Sequence, residues 1–177
     1  MNTTQFWTMA WTTPMLALGF VASLTQPSTA NTGNITCNTN ASIPTVIASP
    51  AEQGTGKNVT ILSFLPEYFS PKDAVQNCQN TAKTLQNLYK TDSANYLTND
   101  KVNSKPVVCV VERRGLSCDR ENAQVLFILG STVNSSQALY QMLGRDFKQP
   151  QPPDARTVSR IYSDIKPKSN GRRWWPF

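Results

Sequence analysis

The sequence predicts an α+β fold: a small antiparallel sheet with one long helix packed on it, a short C-terminal helix and two disulfides. Three observations carry that reading. Short β-rich runs alternate with turn residues, one stretch in the middle of the chain has helical periodicity, and four cysteines follow an apolar leader in a chain of 177 residues.

The elements follow in order. Residues 14–24 are apolar. That run is too short to span a bilayer, which takes about 20 apolar residues, and has the length of a signal-peptide core. Ser28-Thr29-Ala30 supplies the small residues a signal peptidase reads, so residues 1–30 are expected to be a signal peptide, although no Lys or Arg precedes the core. Residues 31–147 are expected to form the domain. Strands are expected at 35–37 and 45–48, with 59–65 as a central strand ended by Pro66. Ser70-Pro71-Lys72-Asp73 starts a helix: a capping hydroxyl, a proline for the first turn and an acid for the dipole. Ala74, Val75, Cys78, Ala82, Leu85, Leu88 and Tyr89 form its inward stripe. A short strand is expected at 95–98 and a turn at Asn103-Ser104-Lys105-Pro106. Strands at 107–112 and 124–129 should pair as a hairpin around a charged loop, and a second helix runs over about 136–144, capped by Asn134 or Ser135. Residues 148–177 are expected to be a Pro-rich linker and a basic, Trp-rich tail.

Cys37, Cys78, Cys109 and Cys118 indicate disulfides in an oxidising compartment. Zinc is disfavoured by their long spacings and by the absence of histidine, and no metal or cofactor is expected. Three connectivities are open; closure of the hairpin by the second pair favours Cys37–Cys78 with Cys109–Cys118. The net charge of +6 is uneven. Residues 31–145 carry ten Lys/Arg and eight Asp/Glu, leaving +2, whereas residues 146–177 carry seven and three, leaving +4.

Several residues carry a family resemblance. Tyr68-Phe69 before Ser70-Pro71, Cys78 in the helix, Tyr96-Leu97-Thr98, Asn103-Ser104-Lys105-Pro106-Val107-Val108-Cys109, Cys118, Leu126-Phe127-Ile128-Leu129, Leu139 and Leu143 resemble the cyanobacterial circadian-oscillating protein family, and Cys37 matches its first cysteine. Asn77 stands where the family shows Arg, and Ser104 where it shows Gly. The resemblance implies a cyanobacterial, exported, membrane-associated small domain. It brings no catalytic residues.

Without histidine, Ser-His and Cys-His nucleophiles are excluded, and no nucleotide-binding fingerprint occurs. The carboxylates Glu52, Glu67, Asp73, Asp92 and Asp100 are scattered; Glu67 beside Tyr68-Phe69 is the most site-like. Arg113-Arg114-Gly115 and Asp119-Arg120-Glu121 read as a solvated loop tip. The tail is the most unusual segment. Arg172 and Arg173 suit anionic head groups, and Trp174, Trp175 and Phe177 suit a membrane interface or an apolar patch of the domain. The expected function is therefore that of an exported, non-enzymatic binding or accessory protein, peripheral to a membrane in the periplasm, thylakoid lumen or extracellular space. Its expected partner is an anionic membrane surface or an envelope protein, not nucleic acid. The alternative is a hydrolase of envelope polymers, which needs two carboxylates about 5–9 Å apart in one cleft.

Overall fold

The computed structural model describes residues 33–49, 57–91, 93, 95–153 and 160–165. The elements run β1 (Asn34–Asn38), β2 (Thr45–Ser49), β3 (Val59–Ser63), α1 (Pro71–Lys90), β4 (Tyr96–Val102), β5 (Lys105–Val111), β6 (Gln124–Ile128), α2 (Ser135–Met142) and β7 (Tyr162–Asp164), with a 3-10 turn at Arg145–Phe147. The expected α+β architecture is present, but its strands divide into two antiparallel sheets, ordered β1-β2-β3 and β6-β5-β4-β7. α1 packs on β1 and β2 and reaches β6, while α2 packs on β4 and β5. One core joins both sheets and both helices. The expected signal peptide lies outside the described residues.

Local chemistry explains the helices. The Ser70 hydroxyl accepts from the Asp73 amide, Pro71 occupies the first turn, and Thr91 closes the other end of α1. Its inward stripe is Ala74, Cys78, Thr81, Ala82, Leu85 and Leu88; Val75 and Tyr89 are only half-buried. Asn134 caps α2 by accepting from the Ser136 and Gln137 amides. The helix stops at Met142, and Leu143 bridges to Leu62 of β3. Phe127 packs edge-on against Phe64 and Phe69, which are tilted to each other, with centroids 5.2–5.6 Å apart, joining the β3–α1 connection to β6.

Three differences from the sequence reading have physical causes. β3 is the last strand of its sheet, not a central one. A bulge inserts Ile61 opposite the Val46/Ile47 step, so Ile61 and Leu62 both turn inward and mimic the unbroken apolar run of a central strand. β4 is longer than expected and carries Asn99, Asp100 and Lys101 into a two-residue hairpin. Asn103 (φ 50°) and Ser104 (φ 65°) both take left-handed backbone there, the signature of a type I′ turn. Pro106 belongs to β5 rather than to the turn. It lies one residue beyond the last β5–β6 partner pair, where only its carbonyl is used, by the Leu129 amide.

The third difference is β7. The segment after the proline run does not remain apart from the domain: residues 160–165 return to sheet β6-β5-β4-β7, and β7 pairs with Tyr96–Thr98. Ile161 and Ile165 are buried in the core.

Candidate functional site

Both faces of β5 are buried, and the reason lies in the loop at residues 112–123. Val108 and Val110 face the main core, whereas Val107, Cys109 and Val111 face a second cluster with Cys118, Leu116, Ala123, Tyr96 and Tyr162. The loop expected to be a solvated tip therefore folds back across the sheet. Cys109–Cys118 fastens it, with Cα atoms 5.7 Å apart. Cys37–Cys78 ties β1 to α1 at 5.6 Å. The favoured connectivity is the observed one. Arg113, Arg114, Asp119, Arg120 and Glu121 of the loop remain exposed, with Arg114 over the Tyr96 ring at 5.3 Å. Ser117 donates to Asp119, and that bond, more than the nearby arginines, holds the exposed Asp119 carboxyl below the usual carboxylate range.

Asp100 is the centre of the polar chemistry. Its carboxylate pairs with Arg160 at 3.0 Å, accepts from the Cys118 amide at 3.0 Å and accepts from the Lys101 amide at 2.8 Å. Burial opposes the Arg160 charge, but the hydrogen bond and charge of Asp100, helped by Tyr162, outweigh it and hold the guanidinium above its ordinary value. Beside this pair, the fully buried Asn99 donates to Ser135 Oγ (3.1 Å) and accepts from the Ile161 amide (2.9 Å). A shallow pocket of about 430 Å³ opens over Asn99, Asp100, Lys101 and Arg160. The group thus ties β4, the disulfide loop, α2 and the C-terminal strand together. Sequence reasoning named Asp100 only as one scattered acid; the β4–β7 register and the loop's fold bring its partners to it.

Glu67 is exposed, and both burial and the Glu67 charge push the neighbouring Tyr68 phenol up while its hydroxyl donates to Gln141. Asp73 accepts from the Ser70 hydroxyl at the α1 cap, at 2.6 Å. Glu52 and Asp92 lie outside the described residues, as do Arg172, Arg173, Trp174, Trp175 and Phe177. A second, apolar cleft of about 230 Å³ lies between the β1–β2 loop and the first turn of α1, floored by Phe64 and Phe69. Among the described residues no cluster of three or more metal-ligating side chains is assembled, and no helix is long and apolar enough to cross a membrane.

The spacing of the four cysteines, the strand order and the C-terminal return are properties of a whole domain, and a family model covers that domain. The model described as circadian oscillating protein COP23 matches residues 35–169. The chain belongs to this family. No curated protein and no solved structure matches the chain. The COP23 match spans both disulfides, the Asp100 group and β7, and ends before the residues of the Trp-rich terminus. The two bridges indicate an oxidising, exported setting for this COP23-family domain.

Proposed function

We propose that this chain is an exported, non-enzymatic binding or accessory protein of a cyanobacterial envelope or lumen, held peripherally at an anionic membrane by its C-terminal segment. The observation that carries the reading is β7. Residues 160–165 are locked into the sheet, and the basic and aromatic residues follow this strand directly in sequence. Their chemistry suits an interface. Lys166, Lys168, Arg172 and Arg173 contribute about 4 kcal/mol together at roughly 1 kcal/mol each, which is only about millimolar binding. Trp174, Trp175 and Phe177 must supply the remainder by inserting at head-group level. The non-enzymatic part of the reading draws support from the structural work of two acids that the sequence singled out: Asp73 closes a helix end, and Asp100 is held by Arg160 and two backbone amides.

Co-sedimentation with anionic vesicles tests the reading. Deletion of residues 171–177 should remove most binding. Salt should weaken the binding of the full chain without erasing it, since screening acts on the charges and not on aromatic insertion. Equal binding by the full and shortened chains would sink the role of the tail.

A further inference from the structure

The outer face of α1 is chemically uniform. Lys72, Gln76, Gln79, Lys83, Asn87 and Lys90 are all exposed. At 3.6 residues per turn they fall within one arc of about 80°, opposite the buried stripe. Lys72, Lys83 and Lys90 are separated by eleven and seven residues, close to three and two whole turns. They therefore form a straight row of about 27 Å at 1.5 Å per residue. The single acid of α1, Asp73, stands off this row and is engaged by Ser70. None of the three lysines makes a salt bridge among the described residues. The acids Asp100 and Asp119 stand elsewhere, on β4 and in the loop that covers the four-stranded sheet, beside Arg160.

The row also adjoins the root of the C-terminal segment. The Ser93 amide donates to Leu88 O in the last turn of α1, and the Ile165 amide donates to Asn95 O two residues further on. Ile165, the last described residue, thus sits near the end of α1 that carries Lys90.

We propose that the Lys72–Lys83–Lys90 row is the face the domain turns toward an anionic bilayer, so that α1 lies along the membrane plane while the C-terminal segment anchors it. This rests on the membrane reading above and adds to it a second contact and an orientation. The amides between the lysines present hydrogen-bonding groups to phosphate oxygens without repelling them, and no acid interrupts the row.

The test compares three full-length proteins on vesicles of phosphatidylglycerol with phosphatidylcholine, at low salt, with folding checked by circular dichroism. These are the wild type, the triple variant Lys72→Gln/Lys83→Gln/Lys90→Gln, and a control that removes the same charge elsewhere, Lys57→Gln/Lys105→Gln/Arg145→Gln. Each lysine at the surface is expected to be worth about fivefold in partitioning, so the α1 variant should bind about 100-fold more weakly. The control should lose less than about fivefold. If both variants weaken equally, net charge alone governs binding and the proposed face is wrong. If neither weakens while the wild type binds, the face is wrong and the anchoring reading stands. A wild type that does not bind these vesicles overturns both.

Discussion

Leu143 leaves α2 to bridge Leu62, and this brings the next residue, Gly144, against β3. A Cβ on Gly144 would stand 1.8 Å from the Thr60 carbonyl oxygen, while the Gly144 amide donates to the carbonyl of the bulged Ile61. Backbone atoms cannot rotate aside, so Gly144→Ala should destabilise by about 3 kcal/mol. Chemical denaturation measures it, and a loss below about 1 kcal/mol would show that β3 and residue 144 are not in contact. Ser104 presents the opposite case. It holds a left-handed conformation with φ 65° in a type I′ turn, where glycine carries no Cβ penalty. Ser104→Gly should raise stability by about 0.5–1 kcal/mol, the relief of left-handed strain less the added freedom of the unfolded chain. A drop in the denaturation midpoint would mean the turn is of another type.

The elements that could be read from the sequence are those whose signals are local. α1 declares itself through Ser70, Pro71 and its apolar stripe, and β5 and β6 through β-branched content. The division into two sheets was hidden because bulges at Ile61 and Leu126 let adjacent residues face the same core. The treatment of sheet edges was equally nonlocal. The Gln86 side chain accepts from the Ile35 amide and donates to the Gly33 carbonyl at 3.5 Å, the pair of bonds a neighbouring strand would make to β1. Leu143 and Gly144 cover part of β3, the Leu126 bulge interrupts β6, and β7 is only three residues long. The Asp100 group was illegible because Cys118 and Arg160 lie 18 and 60 residues away from it in sequence and meet it only through register. The bridges, by contrast, were readable in number and have different expected worth. With sequence separations of 41 and 9, loop-closure entropy predicts about 3.9 kcal/mol for Cys37–Cys78 and about 2.6 kcal/mol for Cys109–Cys118. Paired Cys→Ala variants, each unfolded in denaturant, should show the first to be costlier. The reverse order would mean that release of the 112–123 loop uncovers more apolar surface than chain entropy accounts for.

For the whole molecule, the decisive question is where the folded unit ends. The proline run at Gln149-Pro150-Gln151-Pro152-Pro153 invites the view that everything after it is appendage. The contacts of residues 160–165 oppose that view. Ile161 and Ile165 are 7% and 6% exposed. Asn99 holds the Ile161 amide, Gln149 holds the Tyr162 carbonyl, the Ser163 hydroxyl donates to Phe147, and the Tyr162 hydroxyl donates to Leu116 in the disulfide loop. β7 is therefore a strap that joins the main core on one side of the sheet to the small cluster on the other. Removing residues 160–177 exposes the β4 edge and gives up two buried isoleucines at roughly 1.5–3 kcal/mol each. The expected loss is about 4 kcal/mol or more, a large part of a domain's usual margin of about 5–15 kcal/mol. Removing only residues 171–177 should change stability by less than about 0.5 kcal/mol. Unfolding of both truncations against the full chain separates the possibilities. If the longer truncation unfolds at the same denaturant concentration as the full chain, the strap contributes nothing and the folded unit ends before the prolines. If the shorter truncation alone costs as much as the longer one, Trp174, Trp175 and Phe177 pack on the domain and are not available to a membrane. A stable short truncation beside a weakened long one is what the pinned strand requires, because it assigns residues 160–165 to the fold and leaves the terminal aromatics to act outside it.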